Sequence, residues 1–179
     1  MLVGVLLSDG VEQIEVPDEE LLSFPRGVVG FEEYDRYVLL ELDQPFYLLQ
    51  SVDDPHVGFV LMDPSLVDAT YEVALGSGDR ELLGLRRSER PGLFCIVTLS
   101  AEGGNATVNL RAPVAVNLRK RLGAQVILQD VPYPVRYPLA LTAEGTLDLG
   151  TPDPSGSRNK QPSRNGSHGR RQEAMRCSS

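Results

Sequence analysis

VNLRAPVAVNLRKRLGAQVILQDVPYPVRYPL, residues 108–139, carries the clearest structural signal in the chain. It contains short apolar runs that are rich in β-branched residues. They are separated by Ala112-Pro113, by a basic turn that ends at Gly123, and by tyrosine-proline pairs at 133–134 and 137–138. Apolar runs between proline and glycine corners are typical of strands. The stretch therefore predicts rigid β structure, and it carries no recognisable catalytic chemistry.

The same pattern extends over most of the chain. Residues 2–7 and 11–16 flank Ser8-Asp9-Gly10, and an Asp-Gly pair between apolar segments is a strong hairpin signal. Further runs predict strands at residues 37–42, 46–51, 57–62, 71–75, 93–99, 107–110, 114–118 and 124–128. The acidic segment after Pro17 and residues 79–85 predict short helical turns. Taken together, these signals predict a mainly β protein, a compact, antiparallel, barrel-like single domain with one or two short helical turns.

Charge divides the chain into two parts. Residues 151–179 hold six of the 17 Lys and Arg residues and two of the 25 acids, so they carry +4 while residues 1–150 carry −12. The segment 151–179 has almost no aliphatic residues and cannot bury enough area to offset its ordering entropy. We therefore predict a folded domain over residues 1–150 and a disordered basic tail over residues 151–179. The arginines of the tail suit RNA or an acidic partner, although a solvated extension is the simpler interpretation.

The acidic charge of residues 1–150 limits the partners of the folded domain. Phosphates would be repelled, so no direct nucleic-acid binding is expected there. A basic protein partner is favoured instead, with fast and salt-sensitive association. The apolar start resembles a first strand rather than a signal peptide, and no run approaches the roughly 20 apolar residues of a membrane helix. Cys95 and Cys177 form no ligand-spaced pair. We expect a cytoplasmic protein without a membrane contact.

One short segment combines carboxylates with an imidazole. Asp53-Asp54-Pro55-His56 has the groups for acid-base catalysis or for a hard metal, but Asp-Asp-Pro before an apolar strand is first a turn. No paired nucleophile or second histidine ligand accompanies it, and the strong enzyme motifs are absent. Glu19-Glu20 and Glu32-Glu33 are adjacent pairs, so their side chains diverge in regular structure. The simpler interpretation is a solvated surface, and the alternative is an acidic contact patch. The sequence therefore favours a binding protein over an enzyme, with no metal and no cofactor.

Gly27 and Gly30 punctuate the segment that follows Phe24-Pro25. A phosphate-binding glycine loop would need a different spacing and context. We predict instead that both glycines take conformations closed to other residues. In this interpretation Phe24, Phe31 and Tyr34 anchor the loop in the core.

Two further features have both a structural and a functional interpretation. Arg119-Lys120-Arg121 is either a small anion site or a charged turn between strands, and the turn is favoured. Tyr133-Pro134 and Tyr137-Pro138 either expose a stacking surface or close a sheet edge. The prolines favour edge closure, and the role of the two tyrosines stays open.

Several separated motifs together resemble the flagellar assembly factor FliW family, in order and spacing, over about residues 2–140. They are Phe24-Pro25-Arg26-Gly27, Gly30-Phe31-Glu32, Gln50-Ser51-Val52-Asp53-Asp54-Pro55, Asn109-Leu110-Arg111-Ala112-Pro113, Asn117, Gly123, Gln125-Val126 and Tyr133-Pro134-Val135-Arg136-Tyr137-Pro138-Leu139. Residues after about 150 lie outside the resemblance.

The resemblance implies a cytoplasmic, non-enzymatic protein with two alternative partners, flagellin and the RNA-binding translational regulator CsrA. Flagellin holds the family member until flagellin export leaves it free to bind CsrA, which then releases the flagellin message. The family member binds CsrA away from its RNA surface and acts as an allosteric antagonist. The alternatives are a dedicated flagellin chaperone without CsrA control and, less favoured, an RNA-binding module that acts through the basic tail.

Acids in the matched motifs carry the charge that a basic partner requires, and aromatic residues supply much of many interface cores. On these grounds we hypothesise a partner-binding set of four acids and two tyrosines: Glu32, Glu33, Asp53, Asp54, Tyr133 and Tyr137.

Overall fold

The computed structural model describes residues 1–7, 10–99 and 106–140. Within these ranges the strands are β1 (Leu2–Leu7), β2 (Gly10–Glu15), β3 (Leu22–Ser23), β4 (Arg36–Glu41), β5 (Phe46–Ser51), β6 (Gly58–Met62), β7 (Gly92–Leu99), β8 (Ala106–Val108), β9 (Val114–Asn117), β10 (Leu122–Gln125) and β11 (Tyr137–Leu139). One helix, α1 (Ser77–Leu82), and two 3-10 turns, Asp18–Glu20 and Pro64–Leu66, accompany them. None of the helices among the described residues could span a membrane.

Seven strands close into a barrel. The order β7-β6-β5-β4-β3-β10-β9 is hydrogen-bonded from neighbour to neighbour, and β9 returns to β7 through Gly92–Val116, Leu93–Ala115 and Phe94–Val114. The pairs are antiparallel except β3 with β10, which run parallel at Ser23 and Leu122. The predicted mainly β, barrel-like fold is therefore confirmed, with one parallel pair where an antiparallel barrel was predicted. Closure protects these strands from the edge exposure of an open sheet.

The barrel encloses a core to which five of its strands contribute buried side chains. Leu22, Tyr37, Leu49, Leu61 and Val116 come from β3, β4, β5, β6 and β9, and all of them are fully or almost fully buried. Phe24, which follows β3, lies in the same cluster with its ring edge-on to Tyr37 at a centroid distance of 5.0 Å. Burial of this apolar area supplies the main favourable term in folding.

The remaining strands extend the barrel. The predicted hairpin of β1 and β2 is confirmed by the register from Leu2–Glu15 to Leu7–Gly10, although Ser8 and Asp9 lie outside the described residues. β8 pairs antiparallel with the end of β7, and β11 pairs with β8 at the edge of the sheet. Pro138 stands in this edge strand, where a residue without an N–H is tolerated. The prediction that proline closes a sheet edge is correct there.

A predicted strand at residues 71–75 is wrong. The burial of residues 71–75 alternates as in an extended segment, but the segment pairs with no strand among the described residues. Val73 and Leu75 pack against an apolar cluster below α1 while Glu72 and Ala74 are exposed, so a period-two pattern arises without a sheet. The 3-10 turn Pro64–Leu66 and the short strand β3 were not predicted. The predicted disordered tail, residues 151–179, lies outside the described residues.

Cys95 is a small buried hydrophobe. Its thiol is fully buried within β7, and burial raises its pKa to about 12. A thiol with so high a pKa has little thiolate at neutral pH and is a poor nucleophile. Cys177 lies outside the described residues.

Candidate functional site

The segment between β5 and β6 is a turn that its own polar side chains hold. Buried Gln50 donates from Nε2 to the carbonyl oxygens of Ser51, Asp54 and Val57 at 3.1, 3.1 and 3.0 Å. The Ser51 hydroxyl oxygen accepts from the backbone N–H groups of residues 53 and 54, and Asp54 Oδ1 accepts from the His56 N–H at 2.8 Å. The predicted turn is confirmed, and its acids are fixed in place at the surface.

Acidic side chains from two segments meet around Tyr34. The Tyr34 hydroxyl donates to Asp54 Oδ2 at 3.2 Å. That hydrogen bond, followed by burial and by the charges of Asp54, Glu33 and Asp53, raises the pKa of Tyr34. Arg36 pairs with Asp53. The structure therefore brings Glu33, Asp53 and Asp54 together around Tyr34, with part of their charge offset by Arg36. These three acids and the adjacent Glu32 are called the acidic surface.

Glu32 reaches this surface from a glycine turn. Gly27 and Gly30 have φ angles of +63° and +84°, as predicted for positions closed to other residues. Glu32 Oε1 accepts from the Gly30 N–H at 2.9 Å, and this hydrogen bond lowers the pKa of the carboxyl. At Gly27 an added Cβ would lie 2.6 Å from the Glu32 Cα, so the turn admits no side chain there.

The prediction for the three aromatic anchors of this loop is partly wrong. Phe24 is fully buried and Tyr34 is half-buried, but Phe31 is 37% exposed. Its ring stands edge-on to Phe59 at a centroid distance of 5.1 Å. The loop tip cannot place Phe31 inside the barrel because Val28, its partner in an isolated β-bridge, already lies in the core.

An apolar groove of about 430 Å³ lies beside the glycine turn. Phe59 and Ile96, which pack against the barrel core, contribute to its lining. Its most exposed apolar side chains are Val29, Ile127 and Val135, at 56%, 55% and 54%. No pattern in the sequence predicted this groove. In the sequence, its most exposed lining residues stand out only as apolar residues close to turns.

The two predicted tyrosines differ in their environment. Tyr133 is half-buried, stacks on Tyr71 at a centroid distance of 4.5 Å, and accepts a hydrogen bond from the Glu72 N–H at 3.2 Å. Tyr137 is 38% exposed on the edge strand β11. The structure therefore gives Tyr133 a packing role and leaves the ring of Tyr137 accessible. Neither is among the residues of the acidic surface.

Several motif residues hold the fold rather than face solvent. Asn109 Oδ1 accepts from the N–H groups of Arg111 and Ala112, both at 3.1 Å. Buried Asn117 donates from Nδ2 to the Leu83 carbonyl oxygen at 2.8 Å. Gln125 links two loops through Val29 and Ala112. Much of the sequence pattern is thus explained by turns whose backbone groups need side-chain partners.

The basic motif Arg119-Lys120-Arg121 lies in the turn between β9 and β10, as predicted. Arg121 has a positive φ of 55°, Lys120 N–H bonds back to the Asn117 carbonyl oxygen at 3.2 Å, and Arg119 pairs with Glu89. In the described part of the chain, no three His, Cys, Asp or Glu side chains converge as a metal site requires.

Fold and site together define a small β-barrel protein with an acidic surface and a neighbouring apolar groove. A family model described as FliW protein matches residues 7–139. The flagellar assembly factor FliW of Geobacillus kaustophilus is 39% identical over 127 residues, which cover 70% of this chain and 88% of the relative. That of Carboxydothermus hydrogenoformans is 34% identical over 154 residues, covering 84% and 99%.

A crystal structure of the flagellar assembly factor FliW has the same fold, with a TM-score of 0.69 at 35% identity. The match covers 76% of this chain and 95% of the other. The chain therefore belongs to the FliW family of flagellar assembly factors.

Proposed function

We propose that this protein is a cytoplasmic assembly factor that binds CsrA and antagonises it allosterically, and that flagellin sequesters it. Membership of the FliW family over nearly all of the folded part carries the proposal. In this function the protein acts by binding and not by catalysis. Release from flagellin lets it bind CsrA, which relieves repression of flagellin translation.

The acidic surface supports CsrA as the partner by charge. An RNA-binding regulator presents basic residues, and Glu32, Glu33 and Asp53 are exposed. Complementary charge raises the association rate and makes it sensitive to salt. Because residues 1–150 carry −12, the whole domain attracts such a partner, and the exposed acids orient it.

The apolar groove lies next to the acidic surface, which supports a single binding site that includes both. Val29 lines the groove and lies three residues before Glu32, so one loop contributes to both features. Charged contacts at a rim and apolar contacts at a centre are the usual arrangement of a protein interface. We propose that CsrA covers both, with Val29, Ile127 and Val135 in apolar contact and the acids around them.

Charge reversal with a matched control tests the acidic surface. Glu33 and Asp53 are suitable because neither of them holds a backbone group of the turns. Glu33→Lys with Asp53→Lys should lower the association rate with CsrA about tenfold at low salt and flatten its salt dependence. Glu19→Lys with Glu20→Lys makes the same change of charge on the 3-10 turn Asp18–Glu20 and should have a smaller effect.

The measurement is association kinetics of full-length protein with CsrA at two salt concentrations, with and without flagellin. Displacement of CsrA by flagellin is expected, because alternative partners need overlapping sites or a shared conformational element. Equal rates for the two charge reversals would remove Glu33 and Asp53 from the interface. Flagellin binding without CsrA binding would make the protein a dedicated flagellin chaperone, and CsrA-independent RNA binding would place the function in the basic tail.

A further inference from the structure

Basic residues collect on one side of an otherwise acidic body. Of the 11 Lys and Arg residues in 1–150, seven lie in α1, in the segment that follows it, or in the β9–β10 turn: Arg121 and the six residues Arg80, Arg86, Arg87, Arg90, Arg119 and Lys120. Glu89 joins the two segments, because it pairs with Arg119 and accepts from the Arg86 N–H at 2.8 Å. The hydrogen bond from Arg86 lowers the pKa of Glu89. We call these six residues the basic face.

A groove of about 810 Å³ borders the basic face. Residues 72–75 line it on one side and residues 87–91 on another. In an extended chain, successive side chains point to opposite faces. Because four consecutive residues border the groove, the backbone of this segment runs along it.

Most of the backbone of this extended segment has no partner among the described residues. In the described ranges, the N–H and C=O groups of Val73, Ala74 and Leu75 make no hydrogen bond. The segment is nevertheless held from behind, because Val73 and Leu75 pack on an apolar cluster and the Glu72 N–H bonds to the Tyr133 hydroxyl. A fixed, extended and unpaired edge is the template that an incoming peptide strand requires.

Charged side chains of both signs line this groove: Asp63, Glu72, Glu89, Arg80, Arg87 and Arg90. Asp63 accepts from the Ser65 N–H and Glu89 from the Arg86 N–H, so both of these acids are engaged. Arg80 donates to the carbonyl oxygens of Arg86 and Glu89, so its charge is already engaged. Arg87 and Arg90 are exposed, and no partner for either guanidinium group exists among the described residues. An exposed arginine without an ion-pair partner can bind a carboxylate through two parallel hydrogen bonds.

We propose that this groove binds an acidic peptide segment of a partner protein in extended conformation. The peptide adds as a strand beside residues 72–75, and its carboxylates pair with Arg87 and Arg90. RNA fits less well, because the aromatic ring in the lining, Tyr71, is stacked on Tyr133 and its hydroxyl bonds to the Leu110 carbonyl oxygen at 2.7 Å. The protein's own residues 151–179 are basic and carry the wrong charge.

This interaction is separate from the proposed function. It uses the basic face and an unpaired backbone edge, whereas CsrA binding was assigned to the acidic surface and the apolar groove. The two proposals can therefore be tested independently, and failure of one does not contradict the other.

A fluorescence titration of the full-length protein tests the proposal. The probe is a short fluorescein-labelled peptide of alternating valine and glutamate. Matched probes carry lysine for glutamate, or backbone N-methyl groups that remove the ladder hydrogen bonds. Arg87→Glu with Arg90→Glu should weaken binding of the glutamate peptide by about tenfold or more, which is about 1.4 kcal/mol or more. Arg136→Glu, an exposed arginine outside the groove, serves as the matched control and should change binding less than about twofold.

Amide chemical shifts locate the bound peptide. We expect the N–H signals of Val73, Ala74 and Leu75 to move with the glutamate peptide and to stay in place with the N-methylated one. Two results would overturn the proposal. One is equal binding of the lysine peptide. The other is unchanged binding of the glutamate peptide by the Arg87/Arg90 variant, which would assign that binding to the basic tail. Tighter binding of a short uridine oligonucleotide through the same arginines would assign the basic face to RNA instead.

Discussion

Gln125 on β10 accepts a hydrogen bond from the backbone N–H of Val29 at 3.0 Å, and its Nε2 donates to the Ala112 carbonyl oxygen at 3.2 Å. One side chain thereby ties the tip of the glycine turn to the corner before β9. Both loops border the apolar groove, so Gln125 determines the shape of that groove as well as contributing to its lining.

Replacement of Gln125 by leucine should separate these loops. Loss of the two hydrogen bonds is expected to lower the free energy of unfolding by about 1–2 kcal/mol and to weaken CsrA binding further, because the groove loses its shape. Urea unfolding and calorimetric titration measure the two effects. Gln129→Leu, an exposed position, is the matched control. Equal effects of both substitutions on affinity would show that Gln125 does not organise a binding groove.

Gly123 is a packing requirement of the barrel. A Cβ at this position would lie 2.3 Å from two ring carbons of Phe24, which is fully buried and cannot withdraw. Gly123→Ala should therefore lower the free energy of unfolding by about 3 kcal/mol. Gly78→Ala in α1, where an added Cβ meets nothing within 4 Å, should be neutral or stabilising. Thermal unfolding compares the two, and adding Phe24→Leu to the Gly123 variant should restore part of the loss.

Alanine substitutions of Tyr133 and Tyr137 should distinguish a role in packing from a role in partner binding. Tyr133→Ala removes a ring that stacks on Tyr71 and should cost about 2 kcal/mol of stability, whereas Tyr137→Ala should cost less than about 1 kcal/mol. Tyr137→Ala is thus the informative variant for binding. If it stays folded and binds both CsrA and flagellin normally, Tyr137 does not belong to the interface.

The hydrogen bond from the Gly30 N–H to Glu32 should make stability depend on pH. Because this bond lowers the folded-state pKa of Glu32 below 4.5, it contributes stability above pH 4.5 that is lost as the pH falls through the lowered value. Glu32→Gln should therefore be less stable than the wild type at pH 7 and equal to it in strong acid. Urea unfolding across this range measures the difference. Glu33→Gln, without such a bond, is the control, and the same pH dependence in both variants would contradict the assignment.

Local chemistry was predictable where neighbouring residues decide the conformation. The turn at Asp53-Asp54-Pro55, the glycine conformations at Gly27 and Gly30, and the edge proline Pro138 all follow from residue type. The prediction failed at residues 71–75 because alternation reports a half-buried extended chain but not a partner strand. It failed at Phe31 because the core site beside it was already taken by Val28.

The β class, most of the strands and the acidic character of the body follow from the sequence alone, because propensity, turn chemistry and charge are properties of short segments. Which side chains meet depends on the tertiary structure. Val29, Ile127 and Val135 become one groove, and Arg87 and Arg119 become one basic face, through closure of β9 onto β7 and through the contact of α1 with β10. Residues so far apart in sequence become neighbours only when barrel closure fixes the strand order, which no local pattern encodes.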